Sequence, residues 1–500
     1  MTSTLVWTLI AVQIAMGAFD TLFHHELTER LPWRTTQRRE LLLHGARNLL
    51  YAFLFVTLGW FEADGLFAVV AMAVLGAELV ITLMDFVEED MSRKLPASER
   101  INHTLLALNY GAILVLIVPV LLGWAHKGTG WNSANHGWWS VLASLAAIAV
   151  VVFGARDLAA SLRTKRLMLK PAGALATALP RHRTILVTGA TGFVGCRLVE
   201  ALVAQDHSVI VLTRDPKKAL ALPPPFQLVT DLDQIAPDTR IDAVVHLAGE
   251  SISGGLWTEA RKRAVIQSRV TLIRAIERLV ARLAHRPAVF VNASAVGWYG
   301  LRDDEPLTEY GDSRPCFSHE SCAACEAAAL ELAEFGIRVI NLRIGLVLGT
   351  EGGLLARLLA PFEFGLGGPI GAGKQWMSWI ARDDLVRLIV HVIATPSLSG
   401  PVNATAPGPV QNREFARELG HALHRPALLP LPATPLRLLG GEFAKELLLG
   451  GQRVLPHKAL GSGFAFRHPD LRGALHAILG TKVAHRPARH AHIAERLELS

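Results

Sequence analysis

The chain predicts two folds in series: an all-α helical transmembrane domain of five spans over residues 1–163, then an α/β domain with a doubly wound parallel sheet and a small C-terminal substrate-side subdomain. Three observations predict this. Five long apolar stretches crowd the first third of the 500 residues, and with 51% hydrophobic residues and a mean hydropathy of +0.33 the chain is too apolar for an ordinary soluble protein. A glycine run at Gly189, Gly192 and Gly195 follows a short β-branched segment. Strand-like and helix-like segments then alternate through the second half.

The spans, in order, are approximately Thr4–Phe23, Leu41–Phe61, Leu66–Val87, Thr104–Trp124 and Trp138–Phe153. The first is not a cleaved signal, because it lacks a basic start and its helical pattern runs on through Asp20 and His24. Cationic residues follow spans one (Arg30, Arg34, Arg38, Arg39), three (Arg93, Lys94, Arg100) and five (Arg156, Arg163, Lys165, Arg166, Lys170). The remaining loops carry only Lys127. This asymmetry places the N-terminus outside and the second half in the cytoplasm, as a multi-pass protein of the inner (cytoplasmic) membrane with the lipid bilayer as a partner.

Polar residues inside these spans form a pattern. Asp20 and His24, Glu40 and His44, and Glu99 and His103 are each four apart, and Glu78 and Asp85 are seven apart. In an α-helix such spacings place each pair on one face. All lie toward the cytoplasmic ends of four helices, and carboxylates with histidines on four helices are how bundle di-metal sites are built. The set Asp20, His24, Glu40, His44, Glu78, Asp85, Glu99 and His103 is therefore a potential site for iron, zinc or manganese. Alternative roles are ion pairing with Arg30, Arg47 or Arg100, a proton or quinone path, or a haem between His24 or His44 and His103.

A basic linker over 164–183 leads to the α/β domain over 184–445. Its first strand stops at Thr188, and the glycine spacing from Gly189 to Gly195 is that of a Rossmann phosphate-binding turn. The next strand ends at Thr213 and Arg214, with Lys217 and Lys218 beyond. A cationic end here suits a 2′-phosphate and favours NADP over NAD; Asp215 acting as the ribose acid is the competing option. Leu247, Ala248 and Gly249 form a small-residue turn after a third strand, and a further strand ends at Ser294.

Net charge is +7, and no basic cluster is interleaved with aromatics, so nucleic acid is not an expected partner. The four cysteines, Cys196, Cys316, Cys322 and Cys325, show no disulfide framework and suit a reducing compartment.

Several stretches resemble one family when read in order: TGATGFVG, DAVVHLAGE, Ser268-Arg269, NASAVGWYG, RVINLRIGLVLG, GLGGPIGAGKQWMSWIARDDL and NATAPGPVQNREF. They are similar to the atypical short-chain dehydrogenase/reductases known as nucleoside-diphosphate-sugar epimerase-like proteins. The stretch from Gly451 to Phe466 resembles that group's small C-terminal domain of unknown function, placed here at 446–480 before a polar tail over 481–500. The resemblance covers approximately 184–480 and does not reach the membrane half. It implies a cofactor lying against Gly189, Thr191, Gly192, Phe193, Val194, Gly195, Thr213, Arg214, Leu247, Ala248, Gly249, Arg269, Arg343 and Gly345.

The family's usual proton-transfer set is a Ser with a Tyr and a Lys four apart. Ser294 matches the Ser, but Cys322 and Glu326 stand where Tyr and Lys would fall. That removes the usual acid and the group that lowers its pKa, and leaves Tyr299 and Cys322 as the open proton donors. The Cys322–Cys325 spacing imitates a redox motif but lacks the preceding strand and turn, which favours structural thiols. Lys374, Gln375 and Trp379 are expected on the substrate side, and Asp383 and Asp384 as helix caps. The resulting function is a membrane-anchored NADP-binding oxidoreductase or epimerase-like isomerase acting on a hydroxyl or carbonyl small molecule. The alternatives are a non-catalytic NADP(H) sensor regulating the membrane domain, and NADPH-linked electron transfer to a metal in the helical bundle. Homo-oligomerisation is left open.

Overall fold

The computed structural model describes residues 4–34, 37–93, 95–167 and 171–481. The expected polar tail, with His485, Arg486, Arg489, His490 and His492, lies outside them, as do Lys94 and Lys170. The chain forms two compact units, Met1–Lys170 and Pro171–Ser500.

The first unit holds α1 (Thr4–Phe19), which runs on as a π-helix over Asp20–Thr28, then α2 (Arg38–Trp60), β1 (Phe61–Asp64), α3 (Leu66–Ser92), α4 (Ala97–Ala125), β2 (Gly130–Ser133) and α5 (Trp138–Leu167). All five helices are long and apolar enough to cross a membrane. Helices α2 and α5 pack where side chains are small: a Cβ on Gly45 would stand 3.0 Å from Gly154 O, and one on Gly154 would stand 3.0 Å from Asn48 Cβ. Val6, Trp7, Leu54, Ala71, Ile113 and Leu121 share one core. Leu108, Val115 and Ile148 point outward and are more than half exposed, a disposition that suits an apolar solvent.

The second unit holds β3 (Thr184–Thr188), α6 (Phe193–Val203), β4 (Ser208–Leu212), α7 (Pro216–Ala219), β5 (Gln227–Val229), β6 (Ala243–His246), α8 (Glu259–Arg282), β7 (Val289–Ala295), β8 (Pro306–Leu307), α9 (Phe317–Leu330), β9 (Arg338–Ile344), β10 (Leu346–Leu348) and α10 (Gly353–Glu363). It continues with β11 (Trp376–Met377), β12 (Trp379–Ala381), α11 (Arg382–Ala394), β13 (Gly400–Ala404), β14 (Val410–Gln411), α12 (Asn412–Leu423), α13 (Ala433–Leu447), β15 (Arg453–Val454), α14 (His457–Gly461) and α15 (Leu471–Leu479).

Seven strands form one sheet in the order β13-β9-β7-β6-β3-β4-β5, and every neighbouring pair is parallel. Alternate side chains of β3 enter different cores: Ile185 and Val187 pack with α6 and α11, Leu186 with α8 and α9. Burial on both faces explains why β3 and β6 read as unbroken apolar runs. Strand order reverses at β3, so a crevice opens beyond the ends of β3 and β6. The connector expected over 164–183 is partly core instead: Leu175, Ala176 and Leu179 pack in the cluster that holds α6.

Candidate functional site

The glycine loop occupies that crevice. Gly189 adopts φ +70°, which lets the chain turn across the end of β6. A Cβ there would stand 2.7 Å from Ala248 N and from Leu247 C, and a Cβ on Gly195 would stand 2.8 Å from Ala190 Cα. Gly192 is exposed and begins α6 without a side-chain cap. First-turn N–H groups have no acceptor within their own helix, so this end presents donors to an anion. The loop thus fits a dinucleotide pyrophosphate.

Thr191 is half-buried in the loop. Phe193 and Val194 differ from expectation, since their side chains face protein. A Cβ on Gly349 or Gly352 would stand 2.6 Å from the Phe193 ring, and Val194 packs on the core. What these two offer a ligand is backbone N–H.

Beyond β4, Thr213 Oγ1 accepts from Asp215 N at 3.2 Å. The Asp215 carboxylate caps α7, accepting from Lys217 N at 3.1 Å. The acid that competes for a ribose hydroxyl is therefore engaged, and Arg214 beside it is exposed. Leu247 N donates to Thr188 O at 3.1 Å. Arg269 lies against Gly249, where a Cβ would stand 2.8 Å from its Cζ, and donates to Val265 O at 2.8 Å. Beneath the loop, His246 Nδ1 stands 2.8 Å from Thr188 Oγ1. Burial, with Arg269 nearby, pushes His246 down to about 3, so the ring is a neutral tie between β3 and β6.

Sheet register places Ser294, Arg343 and Asn403 side by side on β7, β9 and β13. Ser294 Oγ donates to Glu326 Oε1 of α9 at 2.6 Å. Arg343 donates to both Glu326 oxygens at 3.0 Å and to Tyr299 OH at 3.2 Å, with its guanidinium 3.4 Å over the Trp298 ring. Tyr299 OH donates to Asn403 Oδ1 at 2.7 Å. These bonds correct four expectations. Tyr299 is 0% exposed, so its hydroxyl is a structural tie and not an accessible proton donor. Arg343 is committed to Glu326 and is not a cofactor ligand. Trp379 is 0% exposed and donates to Gly408 O at 2.8 Å, which makes it core. At Gly345, a Cβ would stand 2.9 Å from Thr405 Cγ2, so its smallness serves backbone packing.

Cys322 is half-buried, with Sγ 3.7 Å from Ala295 O, and desolvation pushes its thiol up to about 12. Cys325 is buried, with Sγ 3.5 Å from Asn292 Oδ1. All four cysteines are free. Gln375 donates to Ile370 O at 3.2 Å and to Leu448 O at 2.9 Å, pinning its loop, while Lys374 is exposed. Asp383 and Asp384 are not caps: Asp383 pairs with Arg197 of α6, and Asp384 accepts from Arg467 N and His468 N. Sequence reasoning missed Asn403 and His246; the signal for each was a polar residue at the end of an apolar strand.

In the helical unit, the eight expected metal residues do not all meet. Glu78 bonds Thr82 and Tyr110. Glu40 pairs with Arg93 at 2.9 Å, and Asp85 pairs with Arg47 at 2.7 Å and His44 at 3.0 Å. His24 has Nδ1 2.8 Å from Asp20 and Nε2 3.2 Å from Ser98. The groups that converge are Asp20, His25, Glu99 and His103, with His25, His44 and Glu89 adjoining. His25 and Glu89 were not anticipated. For His25 the cause is the π-helix, whose wider turn brings residue i+5 beneath Asp20, where 3.6-residue spacing selects His24; Glu89 lies on α3, four residues after Asp85.

Residues 185–404 match the NAD-dependent epimerase/dehydratase family, and residues 431–478 match a domain of unknown function, DUF1731. The chain is 40% identical over 303 residues to the chloroplastic epimerase family protein SDR39U1 homologue of Arabidopsis thaliana, covering 59% of this chain and 86% of the relative. It is 38% identical to an epimerase family protein of Mycobacterium bovis, covering 59% of this chain and 97% of the relative. Among solved structures, it resembles human epimerase family protein SDR39U1 with NADPH, at 31% identity and TM-score 0.54 over 59% of this chain and 99% of that one.

Proposed function

This chain belongs to the NAD-dependent epimerase/dehydratase family, and on that premise we propose that its second unit binds NADP(H) and transfers hydride to or from a hydroxyl or carbonyl small molecule. The observation that carries the reading is the glycine loop at the switch point, with exposed Arg214 beside an engaged Asp215. The human relative was solved with NADPH, which supports the same choice. The five apolar helices anchor the unit at the cytoplasmic face of a membrane, a reading supported by their length and by the cationic loops.

When bound, NADPH supplies hydride to a carbonyl carbon. The protein must then hold the oxygen and deliver a proton to it. Ser294 Oγ, whose own proton goes to Glu326, accepts from the substrate's hydroxyl in the alcohol state and so positions that oxygen. Cys322 stands one turn before Glu326 on α9 and keeps its proton at neutral pH, so its Sγ–H protonates the oxygen and recovers a proton from water. One observation favours a second reading, NADP(H) sensing without turnover: Ser294, Tyr299, Glu326 and Arg343 already satisfy one another.

Calorimetry with NADPH and NADH tests the cofactor. Arg214→Ser weakens NADPH by roughly tenfold, the loss of one charge-assisted bond, and leaves NADH unchanged. Equal loss for both nucleotides removes the 2′-phosphate assignment. Oxidation of NADPH by any of a panel of small carbonyls, abolished in Cys322→Ala, separates the enzyme from the sensor.

A further inference from the structure

We infer that Asp20, His25, Glu99 and His103 bind one divalent first-row transition-metal ion inside the helical unit. Their four ligand atoms lie within 4.8 Å of one another. His25 Nε2 is 3.2 Å from Asp20 Oδ2 and 3.7 Å from Glu99 Oε1, and His103 Nε2 is 3.1 Å from Asp20 Oδ2. Tetrahedral bonds of 2.0–2.1 Å place ligand atoms about 3.3 Å apart, so these positions need little adjustment. Two imidazoles and two carboxylates form a mixed N/O set, which suits zinc, iron or manganese.

The surroundings are those of ligands held for a metal. His103 Nδ1 stands 3.3 Å from Glu89 Oε2, an arrangement that orients the ring with Nε2 turned toward Asp20 and the site. Asp20 Oδ1 stands 2.8 Å from His24 Nδ1 and accepts from Asn102 at 3.2 Å, leaving Oδ2 for the site. Arg93 holds Glu99 with two bonds, 2.9 and 2.7 Å.

A separate observation concerns geometry. His25 Nε2, His44 Nε2 and Glu89 Oε2 are buried and make no well-aligned hydrogen bond, although each stands at ion-pair distance from Asp20 (3.2 Å), Asp85 (3.0 Å) and His103 (3.3 Å) respectively. Five buried carboxylates (Asp20, Glu40, Asp85, Glu89, Glu99) share two guanidiniums, Arg47 and Arg93, and the imidazoles of His24, His25, His44 and His103. Asp20 and His103 also form part of the wall of a cavity of about 290 Å³, lined by apolar groups such as Phe86 and Leu106 and by the polar Gln13, Arg47 and Asn48. The ion therefore borders a cavity of mixed lining. The assignment stands independently of the nucleotide reading.

The test uses full-length protein in detergent, purified without an immobilised-metal column. Elemental analysis finds about one equivalent of zinc, iron or manganese. After chelation, Co2+ alone restores visible d–d absorption that saturates at one equivalent. His25→Ala and His103→Ala lose metal more than tenfold, while Glu78→Gln keeps it, because the Glu78 carboxylate is bonded to Thr82 and Tyr110. Helical circular dichroism and gel filtration check that each variant is folded, and the wild-type Co2+ titration decides the matter if a variant is not. Absence of metal together with absence of Co2+ absorption overturns the site, as does metal retained by the His25→Ala, His103→Ala double variant.

Discussion

At the scale of single residues, the fold alters His246 by removing it from water and placing its Nδ1 against Thr188. Burial pushes its pKa from the ordinary 6.5 down to about 3. Below pH 6.5 the unfolded chain binds a proton that the folded chain refuses, so stability is fully present above pH 6.5 and is lost as pH falls toward about 3. Each pH unit in that window costs up to about 1.4 kcal/mol. His246→Gln keeps a polar group beside Thr188 without the titration. Urea midpoints between pH 7 and pH 4 fall less steeply for the variant than for the wild type; parallel slopes remove His246 as the cause. Glu326 is the contrasting residue, a buried carboxylate with Arg343 lying across both its oxygens.

At the scale of elements, α9 illustrates what a linear pattern can and cannot convey. The alternation of strands and helices was legible from Thr184 onward because each buried strand is a short β-branched run and each turn carries glycine. The start of α9 was not, because much of what holds it comes from far along the chain. Glu446, on α13, accepts from Phe317 N at 3.1 Å, Ser318 N at 2.9 Å and Ser318 Oγ at 2.6 Å. No local spacing announces a partner 128 residues away. The Glu326–Arg343 pair was hidden for the same reason, although both residues had been noted singly. The π-helix concealed His25 differently, through a change of period with no proline or glycine to mark it. Removing the Glu446 carboxylate strands three donors at a helix start where negative charge is favourable. Glu446→Ala should therefore lower stability by about 2–4 kcal/mol, read from denaturant midpoints, and slow any turnover that uses Cys322. A loss below about 0.5 kcal/mol shows that water replaces the carboxylate.

At the scale of the whole molecule, the question is whether the nucleotide unit depends on the helices before it. Two of the relatives match this chain over 97% and 99% of their own length while covering 59% of it, so what they possess is essentially the second unit. The cores agree: the clusters around the sheet draw on residues from Leu175 to Phe466, with none from the first unit. A sheet buried on both faces by its own helices needs no further cover. Residues 171–481 alone should then fold, stay soluble and bind NADPH within twofold of the full chain. At a hundredfold excess over Kd, NADPH adds about 2.7 kcal/mol to the stability of whatever binds it. That increment should raise the melting temperature of the isolated unit and leave melting of the helical unit unmoved in the full chain. A tenfold drop in affinity on truncation, or a helical transition that shifts with NADPH, instead means that the halves exchange free energy. The sensor reading requires that exchange, and simple anchoring does not.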